Sequence, residues 1–276
     1  MVFAPSFAAT KVSVDGLGVA TSASIRLVAG GGILLVVAHR SWPLLRTHWR
    51  PLALLGITGM GVQTYAISIG IDAGTASLGA LILGVEPVCI ALFGALLLGE
   101  RPGRYALIGL GFGLAGVVVV SGIITVGVSG TPLVAVVALI ITTISFSIYA
   151  VRLPAYARLV GGIPAAAATM TAGGLAIVPF ALVEIARGTA VQGDARLSTI
   201  VGSGYNVLGQ TVVGYALFVY AVARLRPAVL AVMLYALPPL AVLADWVLIG
   251  EEPHGRDLVG GALILLGVAI GTRRTT

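Results

Sequence analysis

The chain of 276 residues is 58% hydrophobic and only 9% charged, and its mean hydropathy is +1.09. A soluble domain of this length needs a charged surface that this composition cannot supply, which excludes a soluble globular protein. The net charge of +6 is carried by residues scattered through short loops rather than along one stripe, so we expect no nucleic-acid partner. Apolar and polar residues do not alternate with the two-residue period of a β-strand, and the apolar runs are too long for the strands of a barrel. We therefore predict an all-α integral membrane protein.

Residues that could bind a metal or form a disulfide are scarce. Cys89 is the single Cys and lies inside an apolar run, where we interpret it as a small buried hydrophobe. His39, His48 and His254 fall in loop-like segments and form no ligand cluster. We therefore expect no metal site and no cofactor.

Apolar runs of about 20 residues, the length that a membrane helix needs, follow one another along the chain. Nine are long enough, and they cover residues 18–38, 52–71, 75–98, 105–124, 132–151, 163–185, 198–222, 226–249 and 257–272. Segment 1–12 is apolar but only about half the necessary length. Counted as a shortened first helix, it brings the prediction to ten transmembrane helices. The N-terminus has no basic region followed by a cleavage site, so we expect no cleavable signal peptide.

The loops between these spans differ in charge from one side to the other. The predicted cytoplasmic loops contain Arg40, Arg46, Arg50, Arg101, Arg104, Arg152, Arg158, Arg224, Arg226, Arg273 and Arg274. The predicted outer loops contain Lys11, Arg187, Arg196 and Arg256. Because basic residues concentrate on the cytoplasmic side, this bias predicts that both termini are cytoplasmic, in a membrane of the bacterial inner-membrane type.

An internal repeat relates the two halves of the chain. Residues 86–102 align without gaps on residues 237–253, and the same offset of 151 residues matches Gly109 to Gly260 and Gly116 to Gly267. Five predicted helices separate equivalent points, and an odd number reverses the orientation. We therefore predict two inverted five-helix repeats, residues 1–125 and 126–276. This architecture is typical of secondary transporters, whose substrate site lies at the repeat interface near the midplane.

Several short signals recur in order over both halves. They are Pro5-Ser6-Phe7, Lys11, Arg26, Glu86-Pro87, Leu98-Gly99-Glu100-Arg101 and Gly250-Glu251-Glu252. With these signals the chain resembles the ten-helix EamA branch of the drug/metabolite transporter superfamily. The resemblance implies export or uptake of small metabolites, amino acids included, by proton- or gradient-linked transport or by facilitated exchange. Aromatic amino-acid exporters belong to that branch, although no motif here assigns that substrate.

The chain departs from the family pattern in two places. The first helix lacks its N-terminal half. Leu237-Pro238 stands where the first half has Glu86-Pro87, so the carboxylate has no twin in the second half. This puts a symmetric coupling site with two carboxylates in doubt.

Glu86 is the strongest candidate for a functional residue. An ionisable group within an apolar run is costly, and such groups often mark ion or substrate pathways. Its carboxylate could bind a substrate ammonium or carry a proton, and the alternative is a neutral Glu86 hydrogen-bonded to a neighbouring helix. Pro87 removes a backbone hydrogen bond and frees carbonyl groups beside it. Pro238-Pro239 is the counterpart in the second half, where a kink without ligand contact is the alternative.

Further polar and aromatic side chains lie within the apolar spans, and we expect them to line a central cavity. They are Gln63, Tyr65, Ser145, Tyr149, Asn206, Gln210, Met233 and Tyr235. For each of them, hydrogen bonding or packing between helices is the alternative. An aromatic lining would suit an aromatic or cationic organic solute. Arg26 also falls within a span, where we expect it to reach the membrane surface or to pair with an acid.

The leading hypothesis is a secondary-active or facilitative carrier of small organic metabolites that works by alternating access, with export as the expected direction. The alternative is a flippase or carrier of a lipid-linked or drug-like substrate. No catalytic motif points to an enzyme, no filter sequence to a channel, and no P-loop to an ATP-driven pump. The expected partners are a small-molecule substrate, protons and membrane lipids, and no oligomer is required.

Overall fold

A computed structural model describes residues 6–74, 82–100, 102–120, 132–191, 197–222, 224–225, 229, 232, 234–235 and 255–271. Every regular element with given bounds in these ranges is a helix, which confirms the all-α prediction for the described part of the chain. The predicted span 226–249 lies almost entirely outside it. The arrangement of ten helices as inverted repeats therefore stays a prediction.

Apart from the single 3₁₀ turn His39–Ser41, the first half of the chain contributes six described helices. They are α1 (Ser6–Leu17), α2 (Val19–Val37), α3 (Trp42–Thr47), α4 (Trp49–Ala73), α5 (Glu86–Leu98) and α6 (Arg104–Val120). Helix α3 is a short connection that the apolar pattern did not predict. Within α4, residues Gly56–Gly61 form a π-helical segment.

The second half contributes four more described helices. They are α7 (Leu133–Val160), α8 (Gly162–Ala186), α9 (197–222) and α10 (Gly255–Gly271). Helix α9 is π-helical over Tyr205–Gly214, between two α-helical parts. Among the described helices, four are long and apolar enough to cross a membrane, namely α2, α4, α7 and α8. Shorter apolar helices cover Ile82–Leu98, Arg104–Val119 and Leu258–Gly271.

The end of α7 corrects the sequence prediction. The apolar span was predicted to end at residue 151, but the helix continues to Val160 and contains Pro154. Arg152 and Arg158 are exposed and end the apolar run without ending the helix, because charged side chains on a helix can extend into water. The helix ends where Gly161 takes a φ of 94°, a conformation that side chains rarely adopt.

Two pairs of helices pack along most of their length, α2 with α8 and α6 with α10. Glycines bring α6 and α10 into backbone contact. A Cβ on Gly109 would lie 2.6 Å from the carbonyl oxygen of Gly267, and a Cβ on Gly116 would lie 2.6 Å from that of Gly260. Small residues allow this close approach in membrane helix pairs, where van der Waals contact is the main attraction.

The π-helical segment of α4 lies directly on α8. Gly56 lies against the backbone of Thr169, and a Cβ added to Gly56 would be 2.7 Å from the Thr169 Cα. Likewise, a Cβ added to Gly61 would be 2.9 Å from the carbonyl oxygen of Gly173. No side chain fits between the two backbones at these points. The segment therefore holds α4 against the centre of the bundle.

An acidic side chain caps the start of α2. Glu184 lies in the last turn of α8, and its carboxylate accepts hydrogen bonds from the backbone N–H groups of Ala20 and Thr21 at 2.8 and 2.9 Å, and from the Thr21 hydroxyl at 2.8 Å. The first N–H groups of a helix have no partner within the helix, and the helix dipole favours a negative charge there. Glu184 thus ties α8 to α2.

Candidate substrate-binding site

The candidate site begins at the break before α5. Val85 is in a turn and Pro87 lacks an N–H group, so the regular hydrogen bonds of the chain are interrupted there. Two hydroxyls of α7 bond to carbonyl oxygens at this break. The Thr143 hydroxyl lies 3.4 Å from the carbonyl oxygen of Ile82, and the Ser147 hydroxyl lies 3.3 Å from that of Glu86. Each hydroxyl also has a shorter bond within α7, to the carbonyl oxygens of Leu139 at 3.0 Å and Thr143 at 2.7 Å. The structure thus has a turn at Val85, two residues before Pro87, while the predicted role of Pro87 as a helix break stays a prediction.

Glu86 is the first residue of α5, and its side chain is half-buried. Its carboxylate makes no hydrogen bond and no ion pair with any residue in the described ranges. Tyr215 of α9 and Cys89 of α5 lie within electrostatic range of it. A carboxylate at a helix start without a described partner can bind a cation or a proton. Its role in transport stays a prediction.

Gln63 and Tyr65 lie in α4, just after its π-helical segment. Gln63 is buried, and its side-chain oxygen accepts a hydrogen bond from the Thr64 hydroxyl at 3.0 Å. Tyr65 stacks on Phe180 of α8, with ring centroids 5.4 Å apart. Both side chains therefore contact other residues of the helix bundle. A place in a substrate cavity stays a prediction for each.

Tyr149 and Ser145 lie on α7. Tyr149 is fully buried, and its hydroxyl is 3.0 Å from that of Thr169 on α8. Its ring covers Gly59, where an added Cβ would lie 2.8 Å from the Tyr149 ring. Tyr149 therefore links α4, α7 and α8. Ser145 is half-buried, four residues before Tyr149 along the helix.

Asn206 and Gln210 lie in the π-helical segment of α9. Asn206 is 3% exposed, and its side-chain nitrogen donates to the Ser13 hydroxyl of α1 at 3.2 Å. Asn206 Oδ1 and Gln210 Oε1 are buried, and neither oxygen has a donor among the described residues. Buried amide oxygens are normally satisfied, so two oxygens without a described donor are unusual. Their part in substrate binding stays a prediction. Insertions of π-helix are frequent at functional sites.

The last candidates fall around the predicted span 226–249. Tyr235 is buried, and its hydroxyl has no hydrogen-bond partner in the described part of the chain. Its ring meets Gly113 of α6, where an added Cβ would lie 2.6 Å from the Tyr235 Cε2 atom. Met233, Pro238 and Pro239 lie outside the described residues, so the predicted helix break in the second half stays a prediction.

Arg26 of α2 belongs to this region, although the sequence suggested only a structural role for it. It is 5% exposed, and its Nε donates to the Thr211 hydroxyl of α9 at 3.3 Å. Tyr215 lies within electrostatic range of both Arg26 and Glu86. The predicted pairing of Arg26 with an acid is not found among the described residues. The sequence marked Arg26 as unusual, since it is the charged residue within the span 18–38. Its hydrogen-bond partner Thr211 could not be foreseen, because it lies 185 residues further along the chain.

Comparison with known proteins identifies the family. The model of the EamA-like transporter family matches residues 1–122 and 133–272. The chain belongs to this family. It is therefore a membrane-embedded, multi-pass transporter and not an enzyme.

Three curated relatives agree with this assignment over nearly the whole chain. A probable terminal-alkyne amino-acid exporter of Streptantibioticus cattleyicolor is 31% identical over 281 residues, covering 100% of this chain and 91% of the relative. The uncharacterized transporter YdfC of Bacillus subtilis is 25% identical, covering 97% of this chain and 86% of that protein. An uncharacterized transporter of Archaeoglobus fulgidus is 25% identical over 98% of this chain and 94% of its own length.

A solved crystal structure has a similar fold. It superposes with a TM-score of 0.81 at 23% sequence identity, and the match covers 98% of this chain and 93% of that chain. At this identity the similarity concerns the fold alone.

Proposed function

We propose that this EamA-family transporter carries small organic solutes of the amino-acid class, in the direction of export, by alternating access through a central cavity. The observation that carries the proposal is a set of polar groups without partners among the described residues, namely the Glu86 carboxylate at the start of α5 and the side-chain oxygens of Asn206 and Gln210 on α9. Tyr215 of α9 lies within electrostatic range of Glu86. Polar groups are expensive inside a membrane bundle, and those without protein partners are available to a polar solute.

Two inverted five-helix repeats, residues 1–125 and 126–276, form the proposed scaffold. The contacts between α6 and α10 support it. Gly109 packs on Gly267 while Gly116 packs on Gly260, and the sequence repeat pairs Gly109 with Gly260 and Gly116 with Gly267. If a two-fold axis relates the halves, the contact of Gly109 with Gly267 requires a second contact between their equivalents, Gly260 and Gly116, as the structure has.

The two π-helical segments support the same relation. The sequence offset of 151 residues places the α9 segment, Tyr205–Gly214, over the α4 segment, Gly56–Gly61. Irregular backbone at corresponding positions of two halves is typical of carriers whose halves rock around a central site. Alternating access then requires the cavity to open to one side of the membrane at a time.

The substrate class and the direction rest on the relative from Streptantibioticus, whose name describes a probable exporter of terminal-alkyne amino acids. Its similarity extends over the whole of this chain. We therefore propose amino acids and related compounds, exported across a bacterial-type inner membrane with both termini in the cytoplasm. The loop charges support this orientation.

Glu86 is the proposed coupling residue, which takes up and releases a proton during the transport cycle. Uptake of radiolabelled propargylglycine, a terminal-alkyne amino acid, into proteoliposomes tests this, followed by a panel of the standard amino acids. The Glu86→Gln variant should lose the pH dependence of transport and most of its rate, since an amide side chain cannot take up and release a proton as a carboxylate does.

The Asp72→Asn variant is a matched control, because Asp72 is exposed at the end of α4. It should transport like the unaltered protein. If the Glu86→Gln variant keeps both its rate and its pH profile, Glu86 has no part in coupling. If the unaltered protein transports no amino acid in the panel, the proposed substrate class is wrong.

A further inference from the structure

Arg26 is a buried cation that the described protein does not neutralise. A guanidinium carries five N–H donors, and the described contact of Arg26 uses one of them, from Nε to the Thr211 hydroxyl at 3.3 Å. This contact is at the long end for such a bond. The Nη atoms, which form the two-pronged end of the side chain, make no hydrogen bond to a described residue.

The described acids near α2 are engaged elsewhere. Glu184 binds the backbone at Ala20 and Thr21, and Asp15 forms an ion pair with Lys11 at 2.7 Å. The described ranges contain no carboxylate in ion-pair contact with Arg26. A buried charge without a counter-ion is costly, and an intramembrane Arg in such a position marks a ligand or ion pathway.

The surroundings of Arg26 orient it. Thr211 is fully buried and donates its own proton to the backbone oxygen of Asn206 at 2.8 Å, so its hydroxyl oxygen can accept from Arg26. Gly30, one turn along α2, lies directly against the Thr211 side chain and allows α9 to approach this closely. The guanidinium is thus held at the π-helical segment of α9.

That segment also supplies the opposite kind of group. Asn206 Oδ1 and Gln210 Oε1 are buried acceptors without described donors. Thr211 is bonded to the backbone of Asn206 and directly follows Gln210 in the chain. A guanidinium with free donors and amide oxygens with free lone pairs are complementary to a molecule that carries both a carboxylate and an ammonium. Arg binds carboxylates through two parallel hydrogen bonds, which fixes orientation as well as charge.

We infer that Arg26 binds the carboxylate of the transported solute, while the side-chain oxygens of Asn206 and Gln210 accept its ammonium. This inference rests on the proposed function and narrows it to solutes with a free carboxylate. Thr211 is a positioning residue, since it acts through Arg26. Carboxamides, esters and decarboxylated amines of the same side chain should be poor substrates.

The test uses the full-length protein with propargylglycine and its carboxamide as probes. Transport kinetics in proteoliposomes and the ligand-induced shift of the unfolding temperature are measured for Arg26→Gln, Arg26→Lys and Thr211→Val. Arg26→Gln should raise the KM for propargylglycine about 30-fold or more, since hydrogen bonds to a charged group are lost. Thr211→Val, which keeps the shape of the side chain, should raise KM by about threefold. Arg26→Lys should fall between them.

Arg152→Gln is the matched control, because Arg152 is exposed on α7 and its loss should leave KM unchanged. The unfolding temperature without ligand separates substrate binding from a structural role. Removing an uncompensated buried charge should leave that temperature equal or higher in Arg26→Gln, whereas a structural Arg26 would make the variant melt lower.

Two outcomes overturn the inference alone. In one, the unaltered protein accepts propargylglycine and its carboxamide equally well. In the other, Arg26→Gln keeps the KM of the unaltered protein. If neither propargylglycine nor any amino acid of the panel is transported or shifts the unfolding temperature, the proposed function fails, and the inference fails with it.

Discussion

The two π-helical segments have similar irregular backbones and opposite side-chain chemistry. In α4 the segment Gly56–Gly61 is rich in glycine, and its backbone lies against Thr169 and Gly173 of α8. In α9 the segment Tyr205–Gly214 carries Asn206, Gln210 and Thr211, beside Arg26 of α2. One segment is thus closed by packing, and the other carries buried polar atoms without partners among the described residues.

If the two halves are repeats, as we propose, this contrast explains how a symmetric scaffold could recognise an asymmetric solute. In that proposal the same backbone irregularity serves close packing in α4 and ligand contact in α9, according to the side chains that each segment carries. Substitutions in the α4 segment should therefore act on stability. Substitutions in the α9 segment should act on transport.

The largest effect is expected for Gly56→Ala. The new Cβ would collide with the backbone of Thr169, which cannot move aside as a flexible side chain can. We expect a loss of about 3 kcal/mol or more in the free energy of unfolding, measured by thermal unfolding in detergent. Gly32→Ala is the control, since no atom lies within 4 Å of a Cβ added there. Equal unfolding temperatures of the two variants would contradict the packing role of the α4 segment.

A smaller effect, and on transport only, is expected for Gln210→Met. The substitution removes the unpartnered Oε1 atom but keeps the length of the side chain. The KM for propargylglycine should rise about tenfold, while the unfolding temperature stays the same or rises. Leu208→Met, at an exposed position of the same segment, should leave transport unchanged. If Gln210→Met lowered stability and left KM alone, the two segments would not differ in role.

The smallest effect is expected for Glu184→Gln. Glu184 joins α8, which packs on the α4 segment, to α2, which packs on the α9 segment. Loss of its charge at the start of α2 should cost about 1 kcal/mol of unfolding free energy and leave KM unchanged. Thermal unfolding and uptake kinetics check both parts. A large change in KM would mean that the cap contributes to the substrate site.

The fold was predictable where composition and spacing dominate. Apolar runs predicted α2, α8 and the course of α9 to within a few residues. The end of α7 was not predictable from hydropathy, because Arg152 leaves the apolar run but not the helix. The π-helical segments have no signature in the hydrophobic periodicity, since one extra residue in a turn changes neither composition nor apolar length.

The candidate site could be proposed from the sequence only as a set of residue types. Asn206, Gln210 and Glu86 could be chosen because polar groups in apolar spans are costly, and the structure finds no described partner for Glu86 or for the two amide oxygens. Tyr149 satisfied the same criterion, yet it is bonded to Thr169. Which polar group finds a partner depends on tertiary contacts, such as that between Arg26 and Thr211, which no local pattern contains.

Counterflow tests the central claim, carriage of an amino-acid solute by alternating access, most directly. Proteoliposomes loaded with excess unlabelled propargylglycine are diluted into a trace of the labelled compound, and its entry is followed over time. A carrier exchanges one for the other, so the account predicts a transient accumulation of label above its external concentration. Entry that only approaches the external concentration, with no stimulation by the internal solute, would indicate a channel and contradict the account.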